Sequence, residues 1–346
     1  MNEKAPRTDD GELILKRREI HSGRALTVST VEWSVAEKTA IPTSTLEGFM
    51  WEKETEVDRF RERVPLQNLV SQCNLARVDP TQPRPRDWIG PIMEAAKNGF
   101  VIIPECKRAE PSSGSIRKRY DVSKLVKQFI DAGAAALSVN CDSVLFGGSL
   151  DDVTAAREAS GRAALEQAPD DDGVVLPPIL ASDLVLYPYQ LYKLSLCGAD
   201  AVNLVGGALA SKDLLYLTKI SSSLGFQVLV TVTSTVQIEA LIKLSKGSVD
   251  GLILSNRELE DFSFDMSGRQ VLDLLKSDSL KKFKEHHGEN VPVLAEGRIG
   301  IIERDGNYRT YIEELEEAGA TGAIIGGALA VEVEDGKTRF EELMVV

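Results

Sequence analysis

Glu105 and Lys107 stand two residues apart at the end of a short apolar run, Val101-Ile102-Ile103-Pro104-Glu105-Cys106. In an extended strand that spacing turns both side chains to one face. A carboxylate and an ammonium so placed can hold or move a proton at a strand end; the same pair also suits an ordinary solvated ion pair. Further short apolar runs end in polar residues: Asn140, Ser182-Asp183, Thr231 with Thr233, Ser255 with Arg257, and Glu296. Two runs end in glycine-bearing turns, Gly297-Arg298 and Gly326-Gly327, and a third ends at Gly206. Glycine lets backbone N–H groups approach an anion closely, so the paired turns read as a phosphate site. Cys73, Cys106, Cys141 and Cys197 are widely spaced with no C-x-x-C pair, and His21, His286 and His287 lack ligand spacing. No metal is expected from them. The acidic run Asp170-Asp171-Asp172 reads as a solvated insert before the third strand, away from the site.

These residues need a scaffold that gathers strand ends. The runs are Val101–Cys106, Ala136–Asn140, Pro178–Ser182, Ala201–Gly206, Val228–Val232, Gly251–Ser255, Val291–Glu296 and Gly322–Gly326. Each is short and nearly continuously apolar, the pattern of parallel strands buried on both faces. Helical patterns separate them, and one joint recurs: Gly133, Gly198 and Gly319 each end a helix just before a strand. Eight strand–helix units predict a (β/α)8 barrel with N-terminal helices before the first strand. The alternative is a doubly wound open sheet, but no G-x-G-x-x-G follows the first strand. Residues 1–43 are expected to form a flexible extension, able to dock on the barrel or on a protein partner. Residues 44–346 form the barrel, with helices in 44–99.

The chain has 346 residues and a net charge of −13, which disfavours a general nucleic-acid binder. No apolar run approaches the ~20 residues needed to cross a bilayer, so no membrane partner is expected. The start, MNEKAPRTDDGE, has no apolar signal region and is acidic for a transit peptide.

The segment Pro104-Glu105-Cys106-Lys107-Arg108-Ala109-Glu110-Pro111-Ser112-Ser113-Gly114 resembles a motif of indole-3-glycerol phosphate synthases. Phe146-Gly147-Gly148-Ser149, Tyr187-Pro188-Tyr189-Gln190, Ser255-Asn256-Arg257-Glu258-Leu259, Glu296-Gly297-Arg298 and Ile325-Gly326-Gly327-Ala328-Leu329 resemble further motifs, in the same order. Residues 51–65 and 86–90 resemble the leading helices of plant-type members, which implies the chloroplast stroma. The resemblance implies a cofactor-free, decarboxylating ring closure of an anthranilate-derived ribulose phosphate. It assigns Glu105 and Lys107 to the family's first-strand pair, Phe146 to its substrate wall, and Arg257 and Glu296 to substrate contacts. Its phosphate positions fall at Gly297, Arg298, Gly326 and Gly327, where the family's serine, glycine and Gly-Ser stand.

Elsewhere the pattern departs. The family's general-acid lysine falls at Ser182, its general-base glutamate at Thr231, an asparagine at Ser255, and a carboxylate-binding serine at Glu110. Neither hydroxyl at 182 or 231 can act as a charged acid or a carboxylate base. The expectation is a barrel that binds a small anionic, phosphorylated metabolite with the ring closure lost or strongly reduced. The alternatives are an active synthase using Lys107 as acid and Glu105 as base, and a non-catalytic partner protein.

Overall fold

The computed structural model describes residues 5–18, 34–35, 40–117, 119–167, 176–330 and 342–343. Asp170-Asp171-Asp172 and His21 lie outside the described residues. Eight parallel strands close on themselves in chain order: β1 (Val101–Cys106), β2 (Leu137–Asn140), β3 (Ile179–Ser182), β4 (Ala201–Val205), β5 (Gln227–Val232), β6 (Gly251–Ser255), β7 (Val293–Glu296) and β8 (Gly322–Ile325). Closure comes from β8 pairing with β1, Gly322 opposite Val101 and Ile325 opposite Pro104. The barrel expectation holds, and the open sheet is excluded. Gly133, Gly198 and Gly319 have φ of 88°, 83° and 94°, the left-handed conformation that makes glycine the residue for this repeated joint.

Helices α1 (Thr45–Arg63), α2 (Leu66–Val78) and α3 (Ile89–Ala95) precede the barrel. The outer shell is α4 (Val122–Asp131), α5 (Leu150–Gln167), α6 (Pro188–Leu196), α7 (Ser211–Leu224), α8 (Thr235–Ile242), α9 (Arg269–Leu275), α10 (Asp278–His287) and α11 (Tyr308–Glu317). No described helix is long and apolar enough to cross a membrane. His286 and His287 occupy the last turn of α10, where their Nε2 atoms lie 2.9 and 3.0 Å from the carbonyls of Leu244 and Leu241. They tie α10 to α8. The four cysteines are free thiols, and burial raises the pKa of Cys106 and Cys141.

Inside the barrel, Val101, Ile103, Ala136, Leu180, Ala201, Leu229, Ile253, Leu294 and Ile324 form one apolar plug, closed from below by Trp88 and Ile92. Trp88 is fully buried, and its indole N–H donates to the Leu137 carbonyl at 3.0 Å. That plug fixes where the site must lie. A strand's side chains alternate with a period of two. Two residues beyond Ile103, Leu180, Ala201, Leu229, Ile253, Leu294 and Ile324 stand Glu105, Ser182, Asn203, Thr231, Ser255, Glu296 and Gly326. All seven line a single pocket at the carboxyl ends of the strands.

Residues 5–18, expected to belong to a flexible extension, run across this same end. Ala5 N donates to Glu260 Oε1 at 3.0 Å, Lys16 N donates to Glu47 Oε1 at 2.6 Å, and Leu13 and Leu15 are buried. Arg17 pairs with Glu54 of α1, and Glu12 accepts from Gln237 Nε2 at 2.8 Å.

Candidate active site

The site is organised around Glu110, which leaves β1 by a short antiparallel ladder pairing Ala109–Glu110 with Gly114–Ser115. Its carboxylate bridges two cations: Lys107 Nζ lies 2.8 Å from Oε1 and Arg257 Nη2 lies 3.0 Å from Oε2. Lys107 also lies 3.1 Å from Glu105 Oε2. Glu105, Lys107, Glu110 and Arg257 are all buried or nearly so. Burial by itself opposes the charge on Glu110, but Lys107 and Arg257 outweigh it and hold the carboxyl down at about 2. Burial likewise opposes the charge on Lys107, yet Glu105 and Glu110 keep its pKa above the ordinary lysine value. Glu110 is therefore ionised at neutral pH, and the Lys107 proton is tightly held.

Because Glu110 is depressed from about 4.5 to about 2, its stabilising contribution is full above the ordinary carboxylate range and is lost as pH falls toward 2. Glu110→Gln is therefore expected to be less stable than the native chain at pH 7, with the two curves converging between about pH 4.5 and 2. Urea unfolding across that range checks this. A stability difference independent of pH would contradict the ionised bridge.

Aromatic rings wall the cluster. Lys107 Nζ lies 4.8 Å from the centre of Phe146, and the Arg257 guanidinium lies 4.1 Å from that of Phe264. Arg298 stacks on the same Phe264 ring at 4.7 Å and donates to Ser112 Oγ at 3.3 Å. Phe49 of α1 meets Phe146 and Phe262 edge to face.

The glycine turns sit side by side at the ends of β7 and β8, and both line the pocket. Gly297 and Arg298 have φ of 93° and 61°, two successive left-handed residues. A Cβ at Gly297 would lie 3.1 Å from both Cβ and N of Asn256, so side-chain bulk is excluded there. Asn256, fully buried, anchors the turn by donating to the Gly297 carbonyl at 3.2 Å. A Cβ at Gly326 would fall 2.5 Å from Glu105 Oε2, so this glycine makes room for the ionised cluster.

The opposite wall is neutral. Thr231 spends its hydroxyl hydrogen on Asn203 Oδ1 at 3.0 Å. Ser182 and Ser255 line the same wall, and Asn140 Oδ1 is buried without a hydrogen-bond partner among the described residues. Glu296, beside Ser255, has its carboxyl raised by burial first and then by Glu105. Asp142, which also lines the pocket, has its carboxyl raised by burial as well.

Of the residues singled out in the sequence, Glu105, Lys107, Phe146, Ser182, Thr231, Ser255, Arg257, Glu296, Gly297, Arg298, Gly326 and Gly327 line this pocket, and Gly206 does not. Sequence reasoning missed Asn203, Asn256 and Lys53. Asn203 was open to discovery by the alternation rule, as the second residue after Ala201. Asn256 stood inside a quoted motif without a role. Lys53 gives no such signal.

A closed parallel barrel with its charged cluster and glycine turns at the strand carboxyl ends defines a (β/α)8 barrel with its pocket at the usual rim. A profile of the family "Indole-3-glycerol phosphate synthase" matches residues 46–343, and the chain belongs to that family. A relative named indole-3-glycerol phosphate synthase from Microcystis aeruginosa is 31% identical over 313 residues, covering 90% of this chain and 93% of the relative. Another of the same name from Rippkaea orientalis is 30% identical, covering 87% and 90%. Among solved structures, a chain of the tryptophan synthase α2β2 complex from Pyrococcus furiosus covers 71% of this chain at a TM-score of 0.42 and 14% identity.

Proposed function

We propose that this chain binds a small phosphorylated metabolite at the barrel rim and has lost most or all of the family's decarboxylating ring closure. One observation carries the reading. The ends of β3 and β5 present Ser182 and Thr231, and the Thr231 hydroxyl is committed to Asn203. Neither supplies a charged acid or a carboxylate base. The Gly297-Arg298 and Gly326-Gly327 turns supply the anion side, with Arg298 at its edge. Plastid stroma belongs to the same reading through the plant-type likeness of residues 51–65 and 86–90. Residues 5–18 spend their contacts on the barrel's own rim, so they lend no support to a protein partner.

The competing reading is an active synthase with substitute groups. Glu296 favours it, as a pocket carboxyl whose pKa is raised by burial and by Glu105. Lys107, clamped by two carboxylates, opposes it as a proton donor. Losing one acid or base costs about 10²–10⁴ in rate. With both replaced, turnover of the anthranilate-derived ribulose phosphate is expected at least roughly 10⁴-fold below that of the Microcystis relative. Turnover within tenfold of the relative would refute the proposal.

A further inference from the structure

Glu110 places an internal anion between the two innermost cations of the pocket. Lys107 and Arg257 are 2.8 and 3.0 Å from its two oxygens, and Glu110 is only 5% exposed. Its carboxylate therefore fills the place where a ligand's carboxylate would otherwise find both positive charges.

We infer that the site takes a phosphate ester whose far end is an uncharged aromatic group, and that it discriminates against the same molecule carrying a ring carboxylate. The inference rests on the phosphate reading above and goes beyond it by fixing the charge of the other end.

The charge inventory supports this. The pocket lining includes the acids Glu105, Glu110, Asp142, Asp183 and Glu296 against the cations Lys107, Arg257 and Arg298, with Asp142 and Asp183 paired to Lys53 behind the wall. Lys107 and Arg257 are neutralised by carboxylates, while among the described residues Arg298 has only the hydroxyl of Ser112. Attraction for an anion is thus concentrated at Arg298, beside the Gly297 turn. A second anion near Lys107 would meet the ionised Glu110, and the low-dielectric surroundings make like charges costly at that range. The cations that flank Glu110 pack on aromatic rings: Phe146 faces Lys107, and Phe264 lies under both Arg257 and Arg298. Asn140, Asn203 and Thr231 offer neutral hydrogen-bonding groups to a polyol between the two ends.

The test is isothermal titration of the full chain with two probes sharing one phosphate. One is 1-deoxy-1-(phenylamino)ribulose 5-phosphate; the other is its 2-carboxyphenyl counterpart. The uncarboxylated probe is expected to bind on the order of 100-fold more tightly, the size of a like-charge penalty in a partly screened site. In Glu110→Gln, which keeps the volume and removes the charge, that preference should shrink by about tenfold or more. Equal binding of both probes, or tighter binding of the carboxylated one, overturns the inference and leaves the phosphate reading standing. Binding of neither probe overturns both. If Glu110→Gln does not fold, the ratio measured on the native chain decides alone.

Discussion

Lys53→Met is expected to destabilise the protein by about 3–5 kcal/mol, the cost of stripping one partner from a buried ion cluster. Lys53 projects from α1, is 1% exposed, and lies 2.6 Å from Asp142, 2.8 Å from Asp183 and 2.7 Å from Glu56. Asp142 and Asp183 sit just beyond β2 and β3, so one ammonium staples the leading helix to two rim loops. Asp142 also accepts from the backbone N–H groups of Leu145 and Phe146, at 2.7 and 3.1 Å. Without Lys53, two carboxylates remain close together in a dry place. The Asp142 carboxyl is already raised by burial, and Lys53 is the main influence opposing that rise. In the variant it rises further, so above the ordinary carboxylate range the folded state holds a proton that the unfolded state has released. Stability then falls as pH increases. The gap between variant and native chain should therefore widen from pH 5 to pH 8 in urea unfolding. A loss under about 1 kcal/mol, or a gap that narrows with pH, would show that the cluster does not carry this load.

The same lysine shows where sequence reading stops. The barrel was legible because each strand is buried on both faces and so declares itself as an apolar run. Gly251–Ser255 and Val101–Cys106 coincide with their predicted bounds, and the others differ by one or two residues at an end. The rim residues were legible for a related reason: alternation along a strand whose lower half is apolar dictates which polar side chain faces inward. Lys53 has neither signal. In α1 it stands in the charged stretch Trp51-Glu52-Lys53-Glu54, which reads as a solvated face, and its burial comes from loops distant in sequence. Glu110 was legible as a departure from the family but not as a bridge. Only the fold shows that Arg257, arriving from the end of β6, closes on the oxygen opposite Lys107.

That bridge sets the expected outcome of restoring the missing chemistry. Ser182→Lys with Thr231→Glu returns an acid and a base to the ends of β3 and β5, groups worth about 10²–10⁴ each when correctly placed. With Glu110 intact, however, a carboxylated substrate still meets an ionised carboxylate between Lys107 and Arg257. The double variant is therefore expected to gain less than about tenfold in turnover of the anthranilate-derived ribulose phosphate. Adding Glu110→Ser frees both cations for the substrate, and the triple variant is expected to exceed the double by about 10² or more. Single-turnover assays on the three proteins check this, since with Glu110 in place the substrate's reacting atoms are kept out of reach of the restored acid and base, so the three changes act as a unit and their effects do not add. The order of effects is the decisive readout. A double variant as active as the triple would mean that Glu110 yields its cations freely, and that loss of the acid and base alone had silenced the ring closure.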